Sequence, residues 1–354
     1  MAENKLRTAV LGLDKGGISL LRAASSLDSF EVVAVADKDI KLVEKVASEY
    51  NCSGYDDYRQ LIIQNQFDCL LVAAGLYSCD EYIKTAMKKK FNVLKLAPPA
   101  RNVEEAMEFV RIAEEEQIKF VIANPCRFAK GFVALREFIQ KRHIEQIFLL
   151  TAVCSFGGES RSVWQSDPKL AGGGVLLYNC YEIIDQIMWD FPLPQQIYSL
   201  NTNVAGDKQQ RLYLTEDTAV VTMKFSDNFF GNITASRCGV LGGEEKILKL
   251  YGEEKNLTAS DNKFIVSDNS GRVSEEREYS DDLIGREKSL LENFALSILS
   301  PDKNKVLSSG RENLKNMVFI ESAYLSARTS MPEEPNRILQ MAQREGINIW
   351  PGHK

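Results

Sequence analysis

The sequence predicts a two-domain α/β protein: a doubly wound parallel sheet, followed by an α/β domain with a mostly antiparallel open sheet. First, 354 residues exceed what one hydrophobic core usually organises. Second, apolar segments alternate with amphipathic segments up to Asn124, as in parallel sheets covered by helices on both faces. Third, the segments after Asn124 alternate polar and apolar residues and are separated by Asp, Asn and Gly turns.

Strands and helices alternate along the first domain, which we expect to span residues 1–124. The predicted strands are, in order, TAVLG, EVVAVAD, DCLLVAAG, NVLKLA and IKFVIAN. Apolar residues at helical spacing mark the segments between them, which are ISLLRAASSL, IKLVEKVASEY, DEYIKTAMKKK and NVEEAMEFVRIAEEE.

The second domain is expected over residues 125–330. It begins with the helix GFVALREFIQK and the strand EQIFLLTAVCSF, and after a glycine-rich loop the segment GVLLYNCYEIIDQIMWD is predicted to form one helix. A run of short strands follows, and two long helices close the domain. Residues 331–354, which include Pro332 and Pro335, are expected to lie on the surface as a tail.

Composition excludes several classes of function. The formal net charge is −6 with both signs interspersed, so no basic surface is expected to bind nucleic acid. No apolar run approaches the roughly 20 residues of a membrane span, and the N-terminal segment lacks the pattern of a secretion signal. A cytoplasmic location is therefore predicted. The seven cysteines show no CxxC spacing, which favours structural thiols, and no metal site is expected.

A glycine turn follows the first strand and opens the first helix. The turn consists of Gly12, Leu13, Asp14, Lys15, Gly16 and Gly17. It matches the dinucleotide-binding pattern GxGxxG at its first and third glycines. Asp37 comes 20 residues after Gly17, where a carboxylate holds the ribose hydroxyls of NAD and repels the 2′-phosphate of NADP. The predicted cofactor is NAD, with the neighbouring Lys38 as a second contact at this position.

Asp14 stands where the second glycine of the pattern is expected. A carboxylate facing a phosphate at ~4 Å costs about 4 kcal/mol at an effective dielectric of 20. Lys15 offsets part of this cost if it contacts the same phosphates, or Asp14 turns away and caps the following helix. A third interpretation is a structural turn that binds no nucleotide.

Further stretches along the chain share an order and spacing with a known family. They are EVVAVADKD, NVLKLAPPA, NPCRF, WQSDPKLAGGG, EDTAVVTMKF, LKLYGEEKNL and ESAYLSART. With the glycine turn, they make the chain resemble the glucose–fructose oxidoreductase and inositol dehydrogenase family over nearly its whole length. The resemblance implies a Rossmann domain followed by a mixed α/β domain, and a small-molecule sugar, cyclitol or polyol as substrate.

The resembled family places a Glu-Lys-Pro triplet after its fifth strand, and its lysine touches nicotinamide ribose and substrate. Here the triplet is Leu96-Ala97-Pro98, so only Pro98 remains, and Lys95 lies two residues before Ala97. After the fourth strand, many members have a Thr-Pro turn and a histidine beside the cofactor. Ala74 occupies this turn here and is the predicted contact.

The helix after the glycine-rich loop carries the family's Asp, His and Asp, of which the histidine relays the hydroxyl proton. Tyr178, Glu182 and Asp185 stand at these positions. If the helix is continuous, Tyr178 and Glu182 lie one turn apart and a hydrogen bond between them is open. The predicted catalytic groups are Glu182, Tyr178 and Lys95.

Substrate contacts are predicted at Arg127, Trp164 and Asp185, with Arg127 or Lys95 holding an anionic or hydroxylated substrate. Two functions remain open: a NAD-dependent dehydrogenase with altered catalytic groups, or a catalytically inactive homologue that serves as a nucleotide- or sugar-binding regulatory module.

Apolar residues on the second sheet predict a homo-oligomer, a dimer or tetramer, formed through the open face of that sheet. The residues predicted for this face are Val220, Val221, Phe229 and Ile233.

Overall fold

A computed structural model describes the chain in four stretches, residues 5–157, 163–203, 215–238 and 245–344. The chain forms two compact units. The first contains Met1–Ala100, Glu105–Pro125 and Asp282–Asn313, and the second contains Arg101–Glu104, Cys126–Asp281 and Leu314–Lys354. Among the helices of the described residues, none combines the length and the hydropathy that a membrane span requires.

The first unit is built on a six-stranded parallel sheet in the order β3-β2-β1-β4-β5-β6. Its strands are β1 (Leu6–Leu11), β2 (Phe30–Ala36), β3 (Ser53–Tyr55), β4 (Cys69–Val72), β5 (Asn92–Leu96) and β6 (Phe120–Ala123). The helices between them are α1 (Lys15–Ser25), α2 (Ile40–Tyr50), α3 (Tyr58–Gln64), α4 (Leu76–Lys88) and α5 (Val103–Glu115). The predicted doubly wound parallel sheet is confirmed.

The β1–α1 turn lies at the point where the strand order reverses. Consecutive strands run outward from β1 to β3 on one side, whereas β4 pairs with β1 on the other. Open α/β sheets bind ligands at this position, outside the carboxyl ends of the strands. The sequence did not predict β3 and α3, because three and seven residues are too few to show a clear periodicity.

A later segment of the chain completes the first unit. Helix α10 (Leu283–Leu299) lies against α1, where the Ser19 hydroxyl donates a hydrogen bond to the nearly buried Glu287 carboxylate at 2.5 Å. Beyond this helix, the Ile122 amide donates to the Ser308 carbonyl at 2.9 Å.

The second unit contains an eight-stranded sheet in the order β14-β13-β12-β11-β7-β10-β9-β8. Its strands are β7 (Leu149–Ser155), β8 (Gln196–Thr202), β9 (Thr218–Ser226), β10 (Phe229–Ser236), β11 (Glu245–Tyr251), β12 (Lys255–Ala259), β13 (Lys263–Asp268) and β14 (Val273–Glu278). Only β7 and β10 pair in parallel. The predicted mostly antiparallel sheet is confirmed, and the charged edge strand β14 is an addition to it.

Burial alternates along β9 and β10, so the residues predicted for the open face divide between two sides. Val221 and Ile233 pair with each other and are fully buried, whereas Val220 is 40% exposed. Successive side chains of a strand point to opposite faces, and neighbours in sequence therefore cannot share the open one. Exposed apolar residues of the same cross-strand row are Leu200 and Val153.

The helices that follow β6 in the second unit are α6 (Lys130–Gln140), α7 (Pro168–Ala171), α8 (Val175–Tyr178), α9 (Tyr181–Asp190), α11 (Gly310–Thr329), whose first turn belongs to the first unit, and α12 (Pro335–Arg344). Among them, α6 packs against β12 and β13, and α8 packs against β9 and β10. The single helix predicted from GVLLYNCYEIIDQIMWD is therefore two helices. The Cys180 amide reaches back five residues to the Val175 carbonyl at 2.8 Å, which closes α8 before α9 begins. Within the predicted tail, Pro335 begins α12, as proline at a first helical position permits.

Candidate functional site

Two glycines close the β1–α1 turn tightly against the end of β4. Gly12 has a φ of +93°, and a Cβ atom there would lie 2.3 Å from the Ala74 nitrogen. A Cβ atom on Gly17 would lie 2.0 Å from the Gly12 carbonyl oxygen. Packing within the fold therefore requires both glycines, and it brings Ala74 against the turn.

Asp14 caps helix α1. Its Oδ1 accepts a hydrogen bond from the Gly17 amide at 3.0 Å, and its side chain is exposed. Of the arrangements left open by the sequence, the structure contains the capped helix, and one amide of the turn is thereby already bonded. Lys15 is exposed at the first position of the helix, and Gly16 faces Leu96, whose Cδ1 would lie 2.6 Å from an added Cβ.

Asp37 follows β2 and ties the glycine turn to that strand end. Its Oδ2 accepts the Leu13 amide at 2.7 Å, and its Oδ1 accepts the Asp39 amide at 3.0 Å. The carboxylate remains partly exposed, and each oxygen has a further lone pair for a hydroxyl donor. The structure thus places Leu13 and Asp37 together, at the end where the sequence predicted a ribose.

Lys38 lies beside two aromatic rings. Its Nζ is 5.9 Å from the ring centre of Tyr58 and 5.5 Å from that of Tyr77, within cation–π range. Burial, and then the charge of Asp37, raises the pKa of the Tyr58 hydroxyl. The Tyr58 hydroxyl therefore stays neutral at neutral pH, and the faces of both rings attract the ammonium.

The side chain of Lys95 on β5 bonds to backbone carbonyls at the end of its own strand. Its Nζ donates to the carbonyls of Leu96 and Pro98, both at 2.8 Å, and the residue is only 3% exposed. Burial lowers the Lys95 pKa to about 8. The Leu96-Ala97-Pro98 turn, with its cis Ala97-Pro98 bond, thus uses the ammonium to satisfy backbone oxygens.

The second unit assembles a charged cluster around Glu182, near the start of α9. The carboxylate Oε2 of Glu182 lies 2.8 Å from Lys246 Nζ and accepts from the Cys126 thiol at 3.1 Å. Asp261 Oδ2 lies 3.4 Å from the same ammonium. The side chains of Glu182 and Lys246 are 24% and 15% exposed, so the pair is sheltered and still reachable from solvent.

Charge balance within this cluster keeps Lys246 protonated. Burial alone would lower the pKa of Lys246, but Glu182, followed by Cys126 and Asp261, raises it above its ordinary value. Burial, and then the charge of Glu182, raises the pKa of the Cys126 thiol. At neutral pH the cluster therefore consists of one ammonium, a neutral thiol and the two acidic groups.

Tyr178 and Trp164 lie next to each other at the glycine-rich loop. Their ring centres are 5.9 Å apart in an edge-to-face arrangement, and the Tyr178 hydroxyl donates to the Ala171 carbonyl at 2.6 Å. Glu182 bonds instead within the cluster described above, because the break between α8 and α9 removes the one-turn relation that a continuous helix would give. The glycine-rich loop packs closely against Tyr324, because a Cβ atom on Gly173 would lie 2.1 Å from the Tyr324 hydroxyl.

Arg127 and Asp185 are partners of each other. Nε and Nη2 of Arg127 donate to the two carboxylate oxygens at 2.7 Å, and the residues are 3% and 0% exposed. Asn316 adds a bond to Asp185 at 2.8 Å, and the Arg127 guanidinium lies 4.7 Å from the Trp189 ring centre. The substrate role predicted for the pair stays a prediction, and these contacts describe a buried structural ion pair.

Sequence reasoning missed Cys126, Lys246 and Asp261. They lie 56 residues before, and 64 and 79 residues after, Glu182. Cys126 lies in the stretch NPCRF, and Lys246 lies in the alternating strand EKILKLYG. The sequence of a strand does not show which distant helix packs against the face that carries its lysine. The carboxylate of Glu182 at the family's proton-relay position was the sequence signal that could have prompted a search for a nearby cation.

Family models match both parts of the chain. Residues 6–124 match the model described as "Oxidoreductase family, NAD-binding Rossmann fold", and residues 136–334 match "Oxidoreductase family, C-terminal alpha/beta domain". The chain belongs to this oxidoreductase family. The resemblance drawn from the motifs is confirmed.

Curated relatives and solved structures agree with this assignment. An uncharacterized oxidoreductase of Synechocystis is 22% identical over 73% of this chain and 72% of its own length. A D-apiose dehydrogenase of Rhizobium rhizogenes is 20% identical over 92% of this chain and 96% of its own. An inositol dehydrogenase homolog of Azotobacter vinelandii, crystallised with NAD⁺, shares the fold with a TM-score of 0.84 at 16% identity, over 94% of this chain and 97% of that one.

Proposed function

We propose that this family member is a NAD-dependent dehydrogenase of a neutral sugar, cyclitol or polyol, in which Glu182 and Lys246 replace the family's histidine and lysine. The observation that carries the proposal is the 2.8 Å ion pair between these two side chains at the proton-relay position. The family and its NAD-binding fold are established above, whereas the altered catalytic groups and the substrate are proposed.

The first unit fits the proposed coenzyme. Gly12 and Gly17 add no side chains of their own to the turn, and Asp37 keeps acceptor capacity for ribose hydroxyls. We assign Leu13, Lys15 and Gly16 to the turn that lies against the phosphates, and Ala74 and Pro98 to the neighbouring strand ends. Bound NAD supplies the acceptor for the hydride, so the protein needs only to position the substrate and to manage one proton.

Glu182 is the proposed proton acceptor for the substrate hydroxyl. Lys246 keeps its proton because acidic neighbours raise its pKa, so it acts as a fixed positive charge. A fixed cation stabilises the negative charge that develops on the hydroxyl oxygen as the proton leaves. Tyr178 is the second candidate for a hydroxyl contact, beside Trp164. Lys95, whose ammonium bonds two carbonyls, is assigned to the turn instead.

The charges of the described cluster favour a neutral substrate over a sugar acid. Glu182 Oε2 and Asp261 Oδ2 lie 2.8 and 3.4 Å from Lys246 Nζ, so a substrate group that approaches this ammonium also comes close to two acidic side chains. Arg127 and Lys95, the cations that the sequence offered for an anionic substrate, are bonded to Asp185 and to backbone carbonyls. A carboxylate brought to Glu182 would therefore meet repulsion.

Absorbance of the reduced nicotinamide tests the proposal. The purified protein is assayed with NAD and with inositol, apiose and glucose, each compared with the matching sugar acid. Turnover of a neutral polyol with little turnover of the acids is expected. Binding of NAD without turnover of any polyol contradicts the dehydrogenase, and preference for the acids contradicts the charge argument.

A catalytically inactive homologue that binds nucleotide or sugar is the second candidate. The observation in its favour is Ala97, which presents no cation where the family has its lysine, together with the Gly17 amide already bonded to Asp14. Thermal unfolding with NAD and NADP separates the two. A shift with NAD and no turnover supports the regulatory module, and no shift with either coenzyme removes nucleotide binding altogether.

We further propose that the open face of the second sheet joins copies of the chain. Leu200, Val220 and Val153 expose 58%, 40% and 40% of their surface in one cross-strand row, and Phe230 exposes 47% nearby. Light scattering at micromolar concentration is expected to give a dimer or tetramer. The Leu200→Glu variant is expected to dissociate, and a monomeric wild type refutes the proposal. The cytoplasmic location stays a prediction.

A further inference from the structure

Two buried thiols of the second unit are in direct contact. Cys154 lies on β7 and Cys180 directly precedes α9, and the Cys180 thiol donates to the Cys154 sulfur at 2.9 Å. The two residues are 1% and 0% exposed, and both are free cysteines. The proposed dehydrogenase reaction does not use this pair of thiols.

The separation of the two sulfurs is short enough to favour a disulfide. Bonded sulfurs lie about 2.05 Å apart, so the two atoms, now 2.9 Å apart, need to approach by roughly 0.9 Å. The residues are 26 positions apart in the chain and belong to different elements. Tertiary packing, and not sequence proximity, therefore places them together.

We propose that Cys154 and Cys180 form a reversible disulfide when a small peroxide reaches them. One thiolate sulfur attacks a peroxide oxygen, the oxygen–oxygen bond breaks, and a sulfenic acid and one water form. The second thiol sulfur then attacks the sulfenic sulfur, and the sulfur–oxygen bond breaks as a second water leaves. Two thiols lose two electrons and two protons, and hydrogen peroxide takes them to become two waters.

Burial limits which oxidants reach the two sulfurs and slows their oxidation at neutral pH. Burial, and then the neighbouring Cys180 thiol, raises the pKa of Cys154, so little thiolate forms at neutral pH and oxidation is expected to accelerate as pH rises. Two sulfurs without solvent exposure are closed to bulky disulfides such as oxidised glutathione. Hydrogen peroxide has almost the size of water and is the appropriate probe.

The bond would connect the elements that carry the charged cluster. Cys154 pairs across β7 and β11 with Lys246, and Cys180 precedes Glu182 by two residues. A disulfide would thus tie the strand beside Lys246 to the start of the helix that carries Glu182. Formation of the bond does not depend on the proposed reaction, and its test needs no substrate.

Peptide mapping of the full-length protein tests the bond. The reduced, folded protein is treated with hydrogen peroxide, quenched in acid, unfolded, alkylated and digested for mass spectrometry. One peptide pair joining Cys154 to Cys180 is expected, lighter than the two free peptides by two hydrogens and separated again by dithiothreitol. Protein unfolded in urea before oxidation should give mixed pairings, because only the fold brings these thiols together.

Variants provide matched controls. Cys154→Ser should lose the linked pair and leave the Cys180 thiol as a sulfenic acid or alkylated, whereas Cys69→Ser, which removes another buried cysteine, should keep it. The inference is overturned if Cys154 and Cys180 are both recovered alkylated while the exposed Cys238 is oxidised, or if Cys154 is joined to Cys126 instead. The wild-type map decides between these results even if a variant fails to fold.

Discussion

The ion pair of Glu182 and Lys246 gives the sharpest prediction. At their separation of 2.8 Å, two unit charges attract by about 6 kcal/mol at an effective dielectric of 20. Removing the groups from water offsets much of this, so we expect a coupling free energy on the order of 1–3 kcal/mol. The perturbations are Glu182→Gln, Lys246→Met and the double variant, which together form a double-mutant cycle.

Two measurements follow for each variant. Urea unfolding gives the coupling energy, and the rate of NAD reduction with the best polyol gives the catalytic effect. Glu182→Gln keeps the side-chain shape but cannot take a proton, so kcat is expected to fall about 100- to 10,000-fold. Lys246→Met removes the fixed charge, and a fall of about 100- to 1,000-fold is expected.

A control variant separates the cluster from charge in general. Glu276→Gln breaks an exposed ion pair with Lys263 on the neighbouring strands and should change stability by at most about 1 kcal/mol, with kcat intact. If the changes in unfolding free energy of the two single variants add up to that of the double variant, the proposed coupling between Glu182 and Lys246 is refuted. Unchanged kcat in Glu182→Gln would refute the proton acceptor, whatever the stability shows.

Three further outcomes are expected. Asp185→Asn should lower the free energy of unfolding by about 3–5 kcal/mol, because Arg127 is left buried without its carboxylate. The control Glu81→Gln breaks an exposed ion pair with Lys84 and should cost at most about 1 kcal/mol. Equal effects of the two variants on unfolding would contradict a structural role for the buried pair. The pKa of Lys95 is about 8 when folded, below its ordinary 10.5, so the unfolded state binds this proton more tightly. Stability is therefore lost as pH falls from 10.5 to 8 and gained as pH rises over the same range. The unfolding free energy of the wild type should therefore rise by about 3 kcal/mol relative to that of Lys95→Met from pH 8 to 10.5. Unfolding free energies of the two proteins that change in parallel with pH would contradict this. Calorimetric titration should show NAD binding at least about tenfold more tightly than NADP, because Asp37 repels a 2′-phosphate. Equal affinity for the two coenzymes would mean that Asp37 does not contact the adenosine ribose.

Much of the fold was predictable because its signals are local. The alternation of apolar strands and amphipathic helices predicts the parallel sheet, and Gly12 and Gly17 are required by close approaches within a few residues of a strand end. Errors occurred where the local signal was short or ambiguous. The segment around Cys180 has helical spacing throughout, yet a shifted hydrogen bond divides it into α8 and α9.

The candidate site was only partly predictable, because its partners are distant in sequence. The motif position identified Glu182, and the fold then supplied Lys246 from β11 and Cys126 from the segment after β6. Arg127 and Lys95 carry the charge that a substrate might use, but burial gives each of them an internal partner. Charge can be read from a sequence, whereas the availability of that charge cannot.

The sequence by itself determined the family, the two kinds of sheet and the place of the glycine turn, since composition, periodicity and spacing along the chain encode these features. Only the tertiary structure decided that Asp14 caps its helix, that Glu182 meets Lys246, and that Cys154 touches Cys180. Such pairings depend on which faces of distant elements pack together. The free energy of burial, summed over many residues far from the site, sets that packing, and no local pattern reports it.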